Sequence, residues 1–470
     1  MSTEPRRPAS GRSRLIIAFA PALAAVVIVA RVVVTYSGPL TNPDTYFHLR
    51  LGQEFAHGWA PWNPGHLDGF GTARWAPTQW LSQLGMYDAA HWFGLPGVAV
   101  LTTAAILAVL VSWYAAARRD ADPLPAVLVT TLALIVASGS LSARPQVLSL
   151  LLATWTAMAW RRAADDGRIP WWLIPLGWLW AMLHGMWILG GITSLVLAAG
   201  LVADRKVRPT ALAVGVASMA VALITPAGPG LVAAVFSVNA RSSHISEWAT
   251  PDFTSIPGAV GAATLGLTVL ALARGGRWSW YQLAVVGLSA LFVLYSLRTL
   301  PIGVSIVLPV LAGALQSAIG SRVGVGRPER FFVGALCVAT LAAVAAIAPH
   351  RAADPPAYTH DFDDALASLA PGTPVLTEWG DGGPLLWTHP ELDFPIHGYL
   401  DVYTDDQLSA YGDVFALQPG WDRTLSGLGI RHALLPTDEA LTYALTQAGW
   451  SVDATHDGRE LLSAPRRAAT

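Results

Sequence analysis

The sequence predicts a mainly α-helical, polytopic membrane protein with about eleven transmembrane helices and a small extracytoplasmic α/β domain at its carboxyl end. Three observations carry that prediction. The chain has 470 residues, is 53% hydrophobic and only 13% charged, which is too apolar for an ordinary water-soluble protein of this length. Apolar runs recur along most of it, separated by arginine clusters and Pro/Gly breaks. From about Pro349 onward those runs shorten and acidic residues accumulate.

Taken in order, the expected spans are Leu15–Val34, Gly97–Ala117, Leu124–Leu141, Pro145–Trp160, Trp171–Leu183, Trp187–Val202, Thr210–Ile224, Gly258–Ala273, Trp280–Leu297, Ile302–Ile319 and Phe332–Ala348. Trp171–Leu183 is short for a full crossing, so it is expected to be extended, tilted or partly interfacial. Arg6, Arg7, Arg12 and Arg14 precede the first span, which holds its start in the cytoplasm. That span is longer than a signal-peptide core and no small-residue cleavage site follows it, so it reads as a retained anchor. With this start, 17 basic residues fall on inner segments and 6 on outer ones, a bias that supports the alternation expected of a multi-pass plasma-membrane protein. An odd number of crossings then places the carboxyl terminus outside.

The division follows from composition. Residues 1–348 form the transmembrane part, with a long outer loop at 35–95, and residues 349–470 form the extracytoplasmic domain. The outer domain carries 18 acidic against 6 basic residues, and residues 1–348 carry 13 against 23. An acidic exposed domain repels phosphate backbones, so nucleic acid is excluded as a partner. Membrane lipids are the expected surroundings. The single cysteine, Cys337, lies in the last span, where it reads as a small buried apolar residue and admits no internal disulfide.

In the outer loop, Leu49–Phe55 is expected as a turn or two of helix on the membrane surface, and Trp80–Phe93 as a second interfacial helix. Trp59, Trp62, Trp75, Trp80 and Trp92 read first as interfacial anchors, with sugar stacking as the alternative for one or two of them. In the tail, Phe362–Leu369 suits an amphipathic helix, Thr373–Thr377 and His432–Pro436 suit strands, Gly380–Gly383 suits a turn or helix start, and Leu441–Ala448 suits a helix stopped by Gly449.

The candidate chemistry gathers on one side. Asp44 emerges just past the first span, where a carboxylate can deprotonate an acceptor hydroxyl or hold a divalent cation against a phosphate; the competing reading is a helix cap. His48 lies four residues on, on the same helical face, placed to contact phosphate or orient Asp44. The outer arginines Arg50, Arg74, Arg144, Arg241 and Arg298 offer guanidinium forks for a lipid-linked phosphate, unless each snorkels to ordinary headgroups. Arg144 and Arg298 stand out at helix ends. Glu247 with Asp252 offers a second pair of carboxylates, against the alternative of a salt bridge to a loop arginine. His184 sits at an outer turn. No histidine spacing is diagnostic of zinc, and neither a phosphate-cradling Gly-rich loop nor a serine nucleophile elbow is present. The cofactor is therefore unknown, with a divalent cation as the candidate.

These residues carry a resemblance. The run Pro43-Asp44-Thr45-Tyr46-Phe47-His48-Leu49, with Gly52, Gly58, Pro61, Gly71 to Trp75 and Trp80-Leu81, resembles bacterial polytopic membrane proteins of the GT-C glycosyltransferase type. Arg144-Pro145-Gln146, Trp180 through His184-Gly185, Thr225-Pro226-Ala227-Gly228, Glu247 to Phe253 and Arg298-Thr299-Leu300-Pro301 are similar to the same group. So are Trp379 to Leu385 and His397 to Tyr403 in the tail. The resemblance implies a polyprenyl-phosphate sugar donor, an envelope glycan, lipid or protein as acceptor at the outer face, and an inverting transfer with Asp44 as base or metal-positioning group. One departure stands out: Asp44 is flanked by Pro43 and Thr45 where many members have two adjacent acids, which argues against a bound metal.

Two other classes compete. A transporter or flippase needs ionisable residues or broken helices near the midplane, and the spans here lack intramembrane charges. A non-catalytic envelope scaffold would use the acidic tail to bind a protein, with Asp44 dispensable.

Overall fold

Asp44 owes its position to the residue before it. Pro43 already has helical backbone angles (φ −62°, ψ −30°), so the chain turns directly into a helix whose first residue is Asp44. A carboxylate there faces the positive end of the helix dipole. In this computed structural model residues 11–240, 245–274, 278–319 and 326–465 are described. Through the first part the helices are α1 (Gly11–Tyr36), α2 (Asp44–Ala56), α3 (Trp80–Asp120), α4 (Pro123–Ala137), α5 (Gln146–Asp166), α6 (Leu173–Leu183) and α7 (Trp187–Ala203). They continue as α8 (Leu212–Ala220), α9 (Gly230–Ala240), α10 (Ile256–Arg274), α11 (Trp280–Tyr295), α12 (Leu300–Ile319) and α13 (Arg327–Arg351).

Among the described residues four helices are long and apolar enough to cross a membrane: Trp80–Asp120, Ile256–Arg274, Leu300–Ala318 and Arg327–Arg351. Shorter apolar helices of 10–17 residues stand beside them, including Pro123–Ala137, Leu173–Leu183, Trp187–Ala203 and Trp280–Tyr295. The expected interfacial helix at Trp80–Phe93 and the expected span at Gly97–Ala117 are parts of one continuous element. α3 bends between them at Gly94, whose φ of 66° only glycine adopts without strain, two residues before Pro96. The bundle core is built around the fully buried Trp113, Trp160 and Trp180 with apolar residues of α3, α4, α5, α7, α11 and α12.

The tail is mixed α/β. It contains α14 (Asp363–Ala367), α15 (Trp379–Thr388), α16 (Asp405–Phe415), α17 (Trp421–Gly427) and α18 (Ala440–Gln447). Its sheet runs in the order β1-β2-β4-β3, with β1 (Val375–Thr377) parallel to β2 (His432–Pro436) and antiparallel pairing of β2 with β4 (Arg459–Ser463) and of β4 with β3 (Ser451–His456). β3 and β4 were not expected from the pattern: β3 is exposed along almost its whole length, so it lacks the apolar alternation by which a strand announces itself.

The expectation for Leu49–Phe55 is corrected. α2 does not lie on a surface. Thr45 to Leu49, Leu51, Gly52 and Phe55 are buried, and the helix is packed between α3 and α15. Its apolar residues belong to two cores, Tyr46 and Leu49 with Met86 and Val98 of α3, and Phe47, Leu51 and Phe55 with Tyr399, Tyr403 and Leu376 of the tail. The approach is close: a Cβ placed on Gly383 would lie 2.8 Å from the carbonyl oxygen of Pro43. The tryptophan expectation divides. Trp62 and Trp92 are exposed (74% and 72%), whereas Trp59, Trp75 and Trp80 pack inward around Phe55 and Tyr399. Aromatic rings in a loop bury themselves when a second unit covers that loop.

Candidate active site

The site begins where three chain segments converge on one guanidinium. Arg144 lies just before α5, and its Nε donates to Ser142 Oγ at 3.0 Å, which fixes the start of the side chain. Its Nη1 donates to Asp44 Oδ2 at 2.9 Å and to Glu247 Oε1 at 2.6 Å. Asp44 is held locally as well: its backbone N–H donates to Asn42 Oδ1 at 3.0 Å, and Thr45 Oγ1 donates to the Ala143 carbonyl at 3.0 Å. The segments carrying Glu247 and Arg298 are joined through their backbones, Arg298 N to Glu247 O at 2.9 Å and Leu297 N to Ala249 O at 3.0 Å. Those bonds set the Arg298 Nε 3.6 Å from Glu247 Oε2, too far for a hydrogen bond, with the guanidinium 5.6 Å from the Trp248 ring centroid.

The two guanidinium groups are thus engaged differently. Arg144 is 8% exposed, its Nη1 shared by two carboxylates and its Nε given to Ser142. Arg298 is 20% exposed and its buried Nε has no hydrogen-bond partner among the described residues. Burial pushes the Asp44 carboxyl above its ordinary range, and Arg144 opposes that rise without cancelling it. Burial pushes Glu247 in the same direction, but Arg298 and then Arg144 outweigh it and leave Glu247 below its ordinary value. Two carboxylates of one site therefore have pKa values displaced in opposite directions.

A cavity of about 510 Å³ opens around this cluster. Asp44, His48, Arg144, His184, Glu247 and Arg298 line it. Its apolar wall comes from Met186, Ile188, Leu189, Ala234, Val235 and Ile245, and the tail contributes Trp379, Tyr399 and Asp401. His48 and His184 are almost fully buried in its wall. His48 Nδ1 lies 3.1 Å from Gln83 Nε2, and His184 Nδ1 lies 2.8 Å from Ser149 Oγ, which accepts from Trp180 Nε1 at 2.8 Å. His48 makes no hydrogen bond to Asp44; its ring is committed to α3 through Gln83.

Two expected arginines stand outside the cavity. Arg50 pairs with Glu54 one turn on along α2, and Arg74 is exposed on the loop before α3. Arg241 falls outside the described residues. Asp252 does not join Glu247; it is exposed and accepts from Thr254 N and Oγ1, capping its own turn. Sequence reasoning did not find Gln79, Gln83 or Ser149, and named Trp180, Tyr399 and Asp401 only within longer motifs, without a role in the site. For Trp180 and His184, the four-residue step within Trp180–His184 was the available signal; the others are brought in from distant segments.

A divalent cation was a candidate. Asp44 and Glu247 are drawn together on Arg144, and among the described residues no group of three His, Cys, Asp or Glu side chains forms a cation cage. The residues present do not fit a protein-held metal centre.

No protein-family model matches the chain, and no curated protein sequence is similar to it. Solved structures are. The apo oligosaccharyltransferase of Archaeoglobus fulgidus matches with a TM-score of 0.52 at 13% identity, covering 88% of this chain and 69% of that one. The same protein in complex with Zn and sulfate matches with a TM-score of 0.50 at 12% identity, covering 91% and 69%. ArnT from Cupriavidus metallidurans, bound to undecaprenyl phosphate, matches with a TM-score of 0.50 at 15% identity, covering 96% and 99%.

Proposed function

Because the chain has the GT-C glycosyltransferase fold of these structures, we propose that it is a membrane glycosyltransferase that moves a sugar from a polyprenyl-phosphate donor to an envelope glycan, lipid or protein on the outer face, with inversion. The observation that carries this reading is the cavity itself, where an acidic side chain of elevated pKa, an incompletely satisfied arginine and an apolar wall meet. A lipid-linked sugar phosphate requires those three chemistries together. In this reading residues 1–348 are the transmembrane part with a cytoplasmic start, and residues 349–470 are the extracytoplasmic domain.

The roles follow from the geometry. Asp44 is the base. It takes the proton of the acceptor hydroxyl as that oxygen bonds to the anomeric carbon, and the bond from the same carbon to the phosphate oxygen breaks with its electron pair leaving on the phosphate. Attack on the face opposite the leaving group inverts the anomeric centre. A raised pKa suits the role, since the ionised carboxylate is then a stronger base and takes the proton more readily. Arg298 meets the departing phosphate, because its fork is not already filled by carboxylates. Arg144 is a positioning residue: it points Asp44 into the cavity and ties it to Glu247. The prenyl chain lies against Met186, Ile188, Leu189 and Val235. ArnT is the supporting analogy, since that protein is bound to undecaprenyl phosphate.

The test is Asp44→Asn in membranes supplied with a polyprenyl-phosphate-linked sugar. The variant keeps the side-chain shape and an acceptor oxygen for Arg144, so the protein should accumulate normally. Transfer should fall by about 10²- to 10⁴-fold, the usual contribution of a general base. Wild-type turnover in Asp44→Asn would overturn the reading.

A further inference from the structure

We propose that Trp180, Ser149 and the Met186 backbone hold His184 as a neutral imidazole whose Nε2–H donates a hydrogen bond into the cavity, to an oxygen of the donor phosphate. The identity of the ligand rests on the glycosyl-transfer reading; the place of the proton does not.

The proton is located by counting donors. An indole N–H only donates, so Trp180 Nε1, 2.8 Å from Ser149 Oγ, occupies an acceptor site of that hydroxyl. Ser149 has one proton to give, and the group facing it at 2.8 Å is His184 Nδ1. The Met186 N–H points at the same Nδ1 from 3.5 Å. The Met186 N–H makes Nδ1 an acceptor, and the Ser149 proton turned toward the same nitrogen is the arrangement that satisfies all three groups, with Nδ1 unprotonated. The neutral ring must then carry its hydrogen on Nε2. The relay is well enclosed, with Ser149, Trp180 and His184 all 3% exposed or less, so water does not compete for these bonds.

The Nε2 end is different. His184 lines the cavity, and its Nε2 is not among the buried nitrogens lacking a partner, so this nitrogen reaches the cavity surface. It looks out on a space shared with Arg144 and Arg298, both within electrostatic range of the ring. Burial, reinforced by those two cations, keeps the imidazole from charging. A neutral N–H beside Arg298 can bind a phosphate oxygen without taking up or releasing a proton. Ser149 and Trp180 are positioning residues in this scheme, because their side-chain hydrogen bonds run to His184 and to each other and neither lines the cavity.

The experiment uses the full-length protein in detergent micelles with ¹⁵N-labelled histidine. The His184 resonances, assigned by their loss in His184→Gln, should show an unprotonated Nδ1 and a protonated Nε2, and should stay so to lower pH than those of an exposed histidine. Ser149→Ala should disturb that signature by mixing the tautomers. Binding of farnesyl phosphate should weaken by roughly ten- to a hundredfold in His184→Leu, the loss of one hydrogen bond to a charged group. His184→Gln should recover most of it, since its amide N–H stands close to where Nε2–H was. A protonated Nδ1, equal farnesyl phosphate binding by wild type and His184→Leu, or absence of binding by the wild type would each overturn the inference. Asp44→Asn is read on transfer and this experiment on tautomer and binding, so the failure of one is distinguishable from the failure of the other.

Discussion

Arg144 Nη1 stands 2.9 Å from Asp44 Oδ2, an ion pair between residues a hundred positions apart in sequence. The same nitrogen holds Glu247, so one guanidinium sets the spacing of both carboxylates. Replacing it with a neutral amide should release Asp44 from its aim. Arg144→Gln is expected to lower kcat with a smaller effect on donor affinity. It should also reduce stability, by less than the ~3–5 kcal/mol that follows when a fully buried pair is broken, because both carboxylates remain about a third exposed. Turnover and thermal unfolding of the detergent-solubilised variant check both points.

The opposed shifts of Asp44 and Glu247 give a pH signature. Asp44 must be ionised to act, and burial raises its pKa, so turnover should fall as pH drops through a value above the usual ~3.9. Removing Glu247 takes away a negative neighbour that raises Asp44 further. Glu247→Gln should therefore move the acid limb of kcat/KM to lower pH, whereas Arg144→Gln should move it higher. Glu247 itself has a lowered pKa, so the stability it contributes is present above its unfolded value and is lost as pH falls through its folded one.

Arg298 is expected to act on the donor. Arg298→Ala should raise the KM for the lipid-linked sugar phosphate by roughly ten- to a hundredfold, as expected for one charge-assisted bond, and leave α11 and α12 packed. Arg298→Lys should restore charge but little affinity, since a lysine lacks the fork. Steady-state kinetics on a titrated donor separate the two.

Gly383 offers a test of indirect control. A side chain there must displace the Pro43 carbonyl, which lies 2.8 Å from the position of a Cβ. Gly383→Val should shift the start of α2, cutting turnover and costing about 1–3 kcal/mol through overpacking. Turnover and denaturant unfolding, measured side by side, would show an undisturbed site if both stay at wild-type levels.

Arg50 serves as the contrast. Its guanidinium is engaged by Glu54 one turn away and lies off the cavity. Arg50→Ala should change turnover little and cost at most ~0.5 kcal/mol. A large kinetic defect would mean that the donor reaches this side of α2.

Much of this site could be read from local sequence. Asp44 follows a proline and an apolar span, and Arg144 and Arg298 stand at helix ends, so their side of the bundle was legible. The charge-changing neighbours of each were not. Arg50 and Glu54 have the i,i+4 spacing that neutralises a guanidinium locally, a signal present in the sequence itself. Trp180, Ser149 and His184 meet only after α5 and α6 pack, and periodicity carries no information about which polar side chains face one another across two helices. The burial of α2 was hidden for the same reason: its mixed composition reads as a surface helix until the tail that covers it is considered.

Pro43 touches a residue that is made 340 positions later. The segment that opens α2 therefore leaves the ribosome long before α15 exists, and its aromatic face must wait uncovered while the intervening polypeptide is made. Completion of the cavity is a late event in biosynthesis, and a chain terminated ahead of α15 would lack the wall that Trp379, Tyr399 and Asp401 supply.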